Sequence, residues 1–95
     1  MRIPLTNYTR GRGREYRTMD MLRKLGYYPI RAAGSHGLFD VVAIGPEHVR
    51  LIQVKFNCKP TAEERRALES FATPENVVKE LWVFKCRMQP EIYTL

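Results

Sequence analysis

The stretch LFDVVAIGPEHVRLIQVKF, residues 38–56, contains two strand-like runs that are apolar at most positions. Asp40 interrupts the first run, and Gln53 and Lys55 interrupt the second. The four residues GPEH between the runs include Gly and Pro, which predicts that the two strands form a hairpin. Burial of polar side chains in an apolar core is unfavourable, so these three positions are candidates for a functional site.

The register of this hairpin brings the polar positions together. With GPEH as the loop, Ile44 lies opposite Val49, and counting back along both strands places Asp40 opposite Gln53. Lys55 shares a face with Gln53 because side chains alternate along a strand. Cross-strand neighbours have Cβ atoms about 4.5–5.5 Å apart, so two side-chain oxygens at this spacing are able to bind one ion.

The chemistry of these groups suits a hard divalent cation. Mg²⁺ takes oxygen ligands and keeps several waters, so one carboxylate, one amide oxygen and a main-chain carbonyl are sufficient. Lys55 would lie beside the metal-bound water, and the grouping fits metal-assisted hydrolysis of a phosphodiester. The alternative is a polar face that an edge hairpin turns to solvent.

A helix is predicted over residues 14–25, with a stop at Gly26. Glu15, Met19 and Leu22 lie on one stripe of this helix, at the spacing i, i+4, i+7. An inward carboxylate is unfavourable unless it is paired or binds a metal. Glu15 is therefore either a further ligand of the metal or the partner of an Arg.

We expect this helix to cover the hairpin face that carries Asp40, because the same face also carries the apolar Val42, Ile44 and Leu51. Such packing would bring Glu15 to the metal site.

The remaining elements complete an α/β pattern. A strand is predicted at YYPIRAA, residues 27–33, and a second helix follows Thr61, whose spacing from Glu64 is that of a capping box. The run from Val77 to Cys86 predicts a strand with two apolar faces, typical of a central strand or of one near a dimer interface, and a short strand is expected at residues 92–95. The order αβββαβ predicts a single domain over residues 1–95, with a mixed sheet of four to five strands flanked by helices.

The charge of the chain favours a polyanionic partner. Sixteen Lys and Arg against ten Asp and Glu give a net charge of +6 in 95 residues. Five arginines lie in the first 17 residues: Arg2, Arg10, Arg12, Arg14 and Arg17. Residues 1–13 are predicted to form a basic, flexible arm for phosphate contacts, with a solubilising tail as the alternative.

The sequence also indicates the cellular location of the protein and the state of its cysteines. No apolar run approaches the roughly 20 residues that a membrane-spanning helix needs, and the N-terminal stretch has no signal-peptide core, so we expect a cytoplasmic protein of a prokaryotic cell or of a virus-infected host. Cys58 and Cys86 do not have the spacing of a zinc site. They are expected to be reduced thiols in or near the core, with a disulfide as the alternative.

The chain has a helix that carries Glu15, followed by a hairpin that carries Asp40 and the tripeptide QVK at residues 53–55. This order of elements resembles the PD-(D/E)xK nuclease superfamily. Within it, residues 11–72 most resemble the archaeal-type Holliday junction resolvases, through GREYRTMDMLRKLGYYPIRAAGSHGLFDVVAI followed by LIQVKF. The resemblance implies a restriction-endonuclease-like core and a Mg²⁺-dependent endodeoxyribonuclease that acts on branched DNA as a homodimer, with Mn²⁺ able to substitute.

The resemblance also assigns roles to individual residues. The metal ligands are implied at Asp40, Gln53, Glu15 and the main-chain carbonyl of Val54, and the catalytic lysine is implied at Lys55. Ser35 is implied to lie near the scissile phosphate. DNA contacts are expected from the set Arg10, Arg12, Arg14, Arg17, Arg31, Ser35 and His36. Ser35 and His36 are otherwise ordinary turn residues.

Two positions depart from the pattern of the superfamily. Phe39 occupies the place of the motif's proline, and Gln53 replaces the acidic residue before the lysine. A neutral amide removes one negative charge and weakens Mg²⁺ binding unless Glu15 compensates. QxK versions occur in the superfamily, for example in the Mrr-type restriction nucleases. A related nuclease of the VRR-NUC or restriction type, and a DNA-binding module with weakened catalysis, are the alternatives.

Overall fold

The computed structural model describes residues 7–32, 37–86 and 89–95, and for residues 7–12 it describes the backbone alone. Within these described ranges, two helices and five strands follow one another. They are α1 (Asn7–Lys24), β1 (Tyr28–Arg31), β2 (Val41–Ile44), β3 (Val49–Phe56), α2 (Ala62–Ser70), β4 (Val77–Phe84) and β5 (Glu91–Thr94). The predicted order is confirmed, including the short last strand.

The five strands form one mixed sheet in the order β1-β2-β3-β4-β5. β3 and β4 are parallel and α2 connects them, whereas the other neighbouring pairs are antiparallel. The hairpin has the predicted register, with Ile44 opposite Val49, and the N–H of Gly45 donates to the carbonyl of His48 at 3.0 Å across the loop. β4 lies inside the sheet and is buried on both faces over most of its length, as its apolar sequence predicted.

The first helix is longer than expected. It begins at Asn7 instead of at Arg14, so residues 7–13, which were expected to belong to a flexible arm, are helical. Its end is as predicted: Gly26 has φ +91°, and the N–H of Tyr27 donates to the carbonyl of Leu22 at 2.9 Å. These are features of a Schellman cap, which requires a left-handed residue and therefore favours glycine.

α1 packs on one face of the sheet and supplies Met19 and Leu22 to the core. The sheet residues of this core are Val41, Ala43, Ile52, Trp82 and Phe84. The expectation that this helix covers the face of Gln53 and Lys55 is therefore wrong, since residues of odd and even number in β3 point to opposite faces. The face chosen by α1 is the more uniformly apolar one, while Ile44 on the other face remains 45% exposed.

α2 lies on the second face of the sheet and is fixed there by Lys79. The Lys79 ammonium is buried and donates to the carbonyls of Leu68, Glu69 and Phe71, at 2.7, 2.7 and 2.8 Å. These carbonyls belong to the C-terminal end of α2, where the helix has no partners of its own and where a cation is favourable. Because Lys79 is paired with Leu51 of β3, α2 shares its face with Gln53 and Lys55.

None of the described helices is both long and apolar enough to span a membrane. Cys58 and Cys86 are free thiols and are exposed, so their expected place in or near the core is wrong. Each follows the end of a parallel strand, at the rim of the sheet rather than under a helix.

Candidate active site

Asp40 lies immediately before β2, where the chain bends out of the regular ladder. This strand was expected to begin at Leu38 but begins at Val41. The pair of Val41 with Ile52 is the one farthest from the hairpin loop. The N–H of Asp40 donates to the carbonyl of Ile52 at 2.8 Å, and its carboxylate Oδ2 accepts from the N–H of Val54 at 2.8 Å. The carboxylate is therefore fixed against the main chain of β3, between Ile52 and Lys55.

The Asp40 carboxyl is an acid in an unfavourable setting. Burial raises its pKa above the usual 3.8, and this outweighs the hydrogen bond from Val54 and the positive charge of Lys55, both of which lower it. The charge of a partly buried carboxylate whose pKa is raised by burial is one that a bound cation would stabilise.

Gln53 supplies a buried side-chain oxygen that lacks a partner in the described part of the chain. Gln53 is 8% exposed, and its Oε1 has no hydrogen-bond partner among the residues that the structure describes. Buried polar atoms in folded proteins are nearly always paired, and an unpaired acceptor costs about 1–3 kcal/mol. An orphaned oxygen at this position is consistent with a ligand for a cation.

The carbonyl of Val54 completes the set of oxygens. The N–H and C=O of a strand residue point towards the same neighbouring strand. Because the N–H of Val54 is directed at Asp40, its carbonyl also lies on the Asp40 side of β3. The resemblance implies this carbonyl as a metal ligand, and that role stays a prediction.

Lys55 forms an ion pair with Glu64, a residue that was not predicted as part of the site. Its Nζ lies 2.8 Å from Oε2 of Glu64 in the first turn of α2. The other oxygen of Glu64, Oε1, accepts from the N–H of Thr61 at 3.1 Å, and Thr61 Oγ1 accepts from the N–H of Glu64, so the predicted capping box is present. The sequence indicated the cap but not the contact with Lys55, which depends on how α2 docks against β3.

Glu15 forms an ion pair with Arg31 of β1, at 3.5 Å. Both side chains are only 17% exposed, and the guanidinium of Arg31 also lies 5.4 Å from the ring centre of Tyr16. Glu15 was predicted to be either a metal ligand or the partner of an Arg, and the structure shows the pair with an Arg. Arg31, expected to contact DNA, is the partner.

Two of the predicted DNA-binding arginines lie at the end of the sheet where Lys55 is found. The guanidinium of Arg14 lies 3.6 Å from the ring centre of Phe56, and that of Arg17 lies 5.4 Å from the ring centre of Phe84. These aromatic residues are the last of β3 and β4, and stacking of this kind is favourable for Arg.

The positions of four other predicted DNA-binding side chains are not described. Arg10 and Arg12 belong to α1, but their side chains are not described, and Ser35 and His36 lie outside the described residues.

Within the described part of the chain, no group of three or more His, Cys, Asp or Glu residues is arranged to hold a metal ion. The available donor set is a mixed one: the carboxylate of Asp40, the orphaned oxygen of Gln53 and the carbonyl of Val54. Such oxygens are the ligands that Mg²⁺ and Mn²⁺ accept. The residues present therefore fit a hard divalent cation, with only one of these donors charged.

Comparison with known proteins identifies the fold. No protein-family model matches the chain, and the search of curated proteins finds no match. Among solved structures, the chain is similar to Hjc of Archaeoglobus fulgidus, a Holliday junction resolvase from an archaeal hyperthermophile, with a TM-score of 0.73 and 24% identity over 90% of this chain and 72% of that one. The predicted restriction-endonuclease-like fold is confirmed: the chain has the fold of the archaeal Holliday junction resolvase Hjc.

Proposed function

We propose that the chain is a metal-dependent endodeoxyribonuclease that cleaves branched DNA, and four-way junctions in particular. The observation that carries this proposal is the buried oxygen of Gln53, which has no partner among the residues that the structure describes. Gln53 lies on the strand that also carries Lys55 and binds the Asp40 carboxylate. The likeness in fold to a Holliday junction resolvase supports the choice of substrate.

In this proposal Asp40, Gln53 and the carbonyl of Val54 hold one Mg²⁺ or Mn²⁺. Glu15, the fourth ligand implied by the resemblance, would contribute only after it exchanges its ion pair with Arg31. When bound, the cation would supply an activated water and neutralise charge on the scissile phosphate. Lys55 stabilises the negative charge that develops on the phosphate in the transition state. The surroundings of Asp40 exclude much of the solvent, which strengthens these interactions.

The arginines at the same end of the sheet would hold the phosphate backbone. Arg14 and Arg17 are preorganised by Phe56 and Phe84, so little side-chain entropy is lost when they bind a phosphate. Arg10, Arg12, Arg31, Ser35 and His36 are proposed to extend this surface. Such contacts position the DNA without reading its sequence.

A homodimer is proposed because a four-way junction presents two symmetric strands for cleavage. A two-fold dimer would place one site on each of these strands.

The test compares cleavage of a synthetic four-way junction, a flap and a linear duplex in the presence of Mg²⁺ or Mn²⁺. Selective cleavage of the junction is expected. Preference for linear or flap DNA would instead favour a nuclease of the VRR-NUC or restriction type. Asp40→Asn and Lys55→Ala are expected to lose cleavage by several orders of magnitude while junction binding remains.

A second candidate function is a DNA-binding module with weakened catalysis. The specific observation in its favour is that Gln53 is neutral while Lys55 is already paired with Glu64. Tight junction binding without cleavage of any substrate, with either metal, would establish this alternative and refute the nuclease.

A further inference from the structure

The charges at the candidate site do not favour a divalent cation if they are limited to the residues of the sequence motif. The negative charge of Asp40 and the positive charge of Lys55 cancel, and Gln53 adds none. Glu15 already has a counter-charge in Arg31. A cation would thus meet a nearly neutral site that contains an ammonium group.

Glu64 changes this balance from a different element of the fold. Its carboxylate contacts the Lys55 ammonium at 2.8 Å, and this contact leaves the group formed with Asp40 with a net negative charge. An acidic residue at position 53 would give the same net charge. The charge that the motif lacks on β3 is therefore present on α2.

The carboxylate of Glu64 is also held in place before any ligand binds. One of its oxygens accepts from the N–H of Thr61 as part of the capping box, which leaves the other directed at Lys55. The first turn of a helix favours a negative charge, so Glu64 remains ionised there. The hydrogen bond from Lys55 lowers the pKa of Glu64 below its usual 4.5, in agreement with this geometry.

We infer that Glu64 is a positioning residue: it holds the Lys55 ammonium and offsets its repulsion of a divalent cation, in place of the carboxylate missing at position 53. This inference rests on the proposed metal-dependent function. Because Glu64 holds Lys55 as well as adding a charge, its effect on cation binding is expected to be clearly smaller, though not zero, when Lys55 carries no charge.

The test is a double-mutant cycle on cation affinity, measured by calorimetric titration of Mn²⁺ into the metal-free protein. Glu64→Gln keeps an oxygen for the cap but removes the charge, and we expect Mn²⁺ binding to weaken on the order of tenfold. In the Lys55→Met background the same change is expected to weaken Mn²⁺ binding clearly less, by about threefold, because only the loss of the Glu64 charge itself remains. Equal losses in both backgrounds would show that Glu64 binds the cation itself, and no loss in either would show that the ion pair has no role; each result overturns the inference.

Thr61→Ala is the matched control for the helix cap. It removes the hydroxyl that accepts from the N–H of Glu64 but keeps the charge of Glu64. We expect this variant to lose stability, by about 1 kcal/mol or 5-fold in the folding equilibrium, and to keep its Mn²⁺ affinity. A loss of affinity equal to that of Glu64→Gln would assign the effect to the cap and refute the inference.

A second measurement separates this inference from the proposed function. Labelling of lysine amines by an acetylating reagent, followed by peptide mass spectrometry, reports how well Nζ is shielded without any metal. Lys85, whose Nζ lies 2.8 Å from Glu91, is the internal reference. Glu64→Gln should raise labelling of Lys55 several-fold relative to Lys85. If wild type binds no Mn²⁺ but this change occurs, the metal-dependent function fails while the positioning of Lys55 stands; unchanged labelling refutes the positioning itself.

Discussion

Replacement of Gln53 by Leu is expected to stabilise the metal-free protein and to abolish its stabilisation by divalent cations. Gln53 is 8% exposed and its Oε1 lacks a partner among the described residues. Leu has a similar volume and no polar atom, so the substitution removes an unpaired acceptor without opening a large cavity. The penalty for such an acceptor is about 1–3 kcal/mol, and a domain of this size gains roughly 4–8 °C in Tm for each kcal/mol.

The assay is thermal unfolding of wild type and Gln53→Leu, with and without Mn²⁺. A ligand at a hundred times its Kd stabilises the folded state by about 2.7 kcal/mol, so wild type should show a clear rise in Tm on addition of Mn²⁺. The variant should begin at a higher Tm and show little further rise. A variant that is less stable than wild type without metal would mean that the oxygen of Gln53 has a favourable partner, and the reasoning about an orphaned ligand would be refuted.

Three further predictions follow from the same geometry. Asp40→Asn should raise Tm at neutral pH, because the ionised carboxylate is destabilised by burial, and should remove Mn²⁺ binding in the titration. In wild type, Mn²⁺ affinity should fall with decreasing pH as Asp40 takes up a proton at a pKa above 3.8, whereas retention of full affinity down to pH 3.8 would contradict the raised pKa. Lys79→Met removes three hydrogen bonds to the end of α2 and should lower the free energy of unfolding by about 1–3 kcal/mol in a urea titration, with no change if the helix end is solvated instead.

Local rules predicted the elements that position the site. The loop GPEH sets the hairpin register, Gly26 ends α1, and the spacing of Thr61 and Glu64 marks the start of α2. Each of these signals depends on residues that are close in sequence, and each is confirmed. The same holds for β4, whose two apolar faces indicate a strand inside the sheet.

Long-range packing explains what the sequence did not disclose. Both faces of the hairpin carry apolar residues, so the choice of α1 for the face of Val41 and Ile52 depends on how those residues combine with Trp82 and Phe84 from a distant strand. The contact of Lys55 with Glu64 has the same origin, because it requires α2 to lie on the opposite face. The capping box already accounted for an acidic residue at position 64, so nothing in the sequence indicated its contact with Lys55.

The most direct test of the account is cleavage of an end-labelled four-way junction by wild type and Asp40→Asn, with Mn²⁺ or with a chelator. The account predicts that wild type with Mn²⁺ yields paired products of symmetric cleavage, while the variant and the chelated enzyme bind the junction but leave it intact. Cleavage that persists in the Asp40→Asn variant or without a divalent cation would contradict the central claim that this carboxylate holds a catalytic metal.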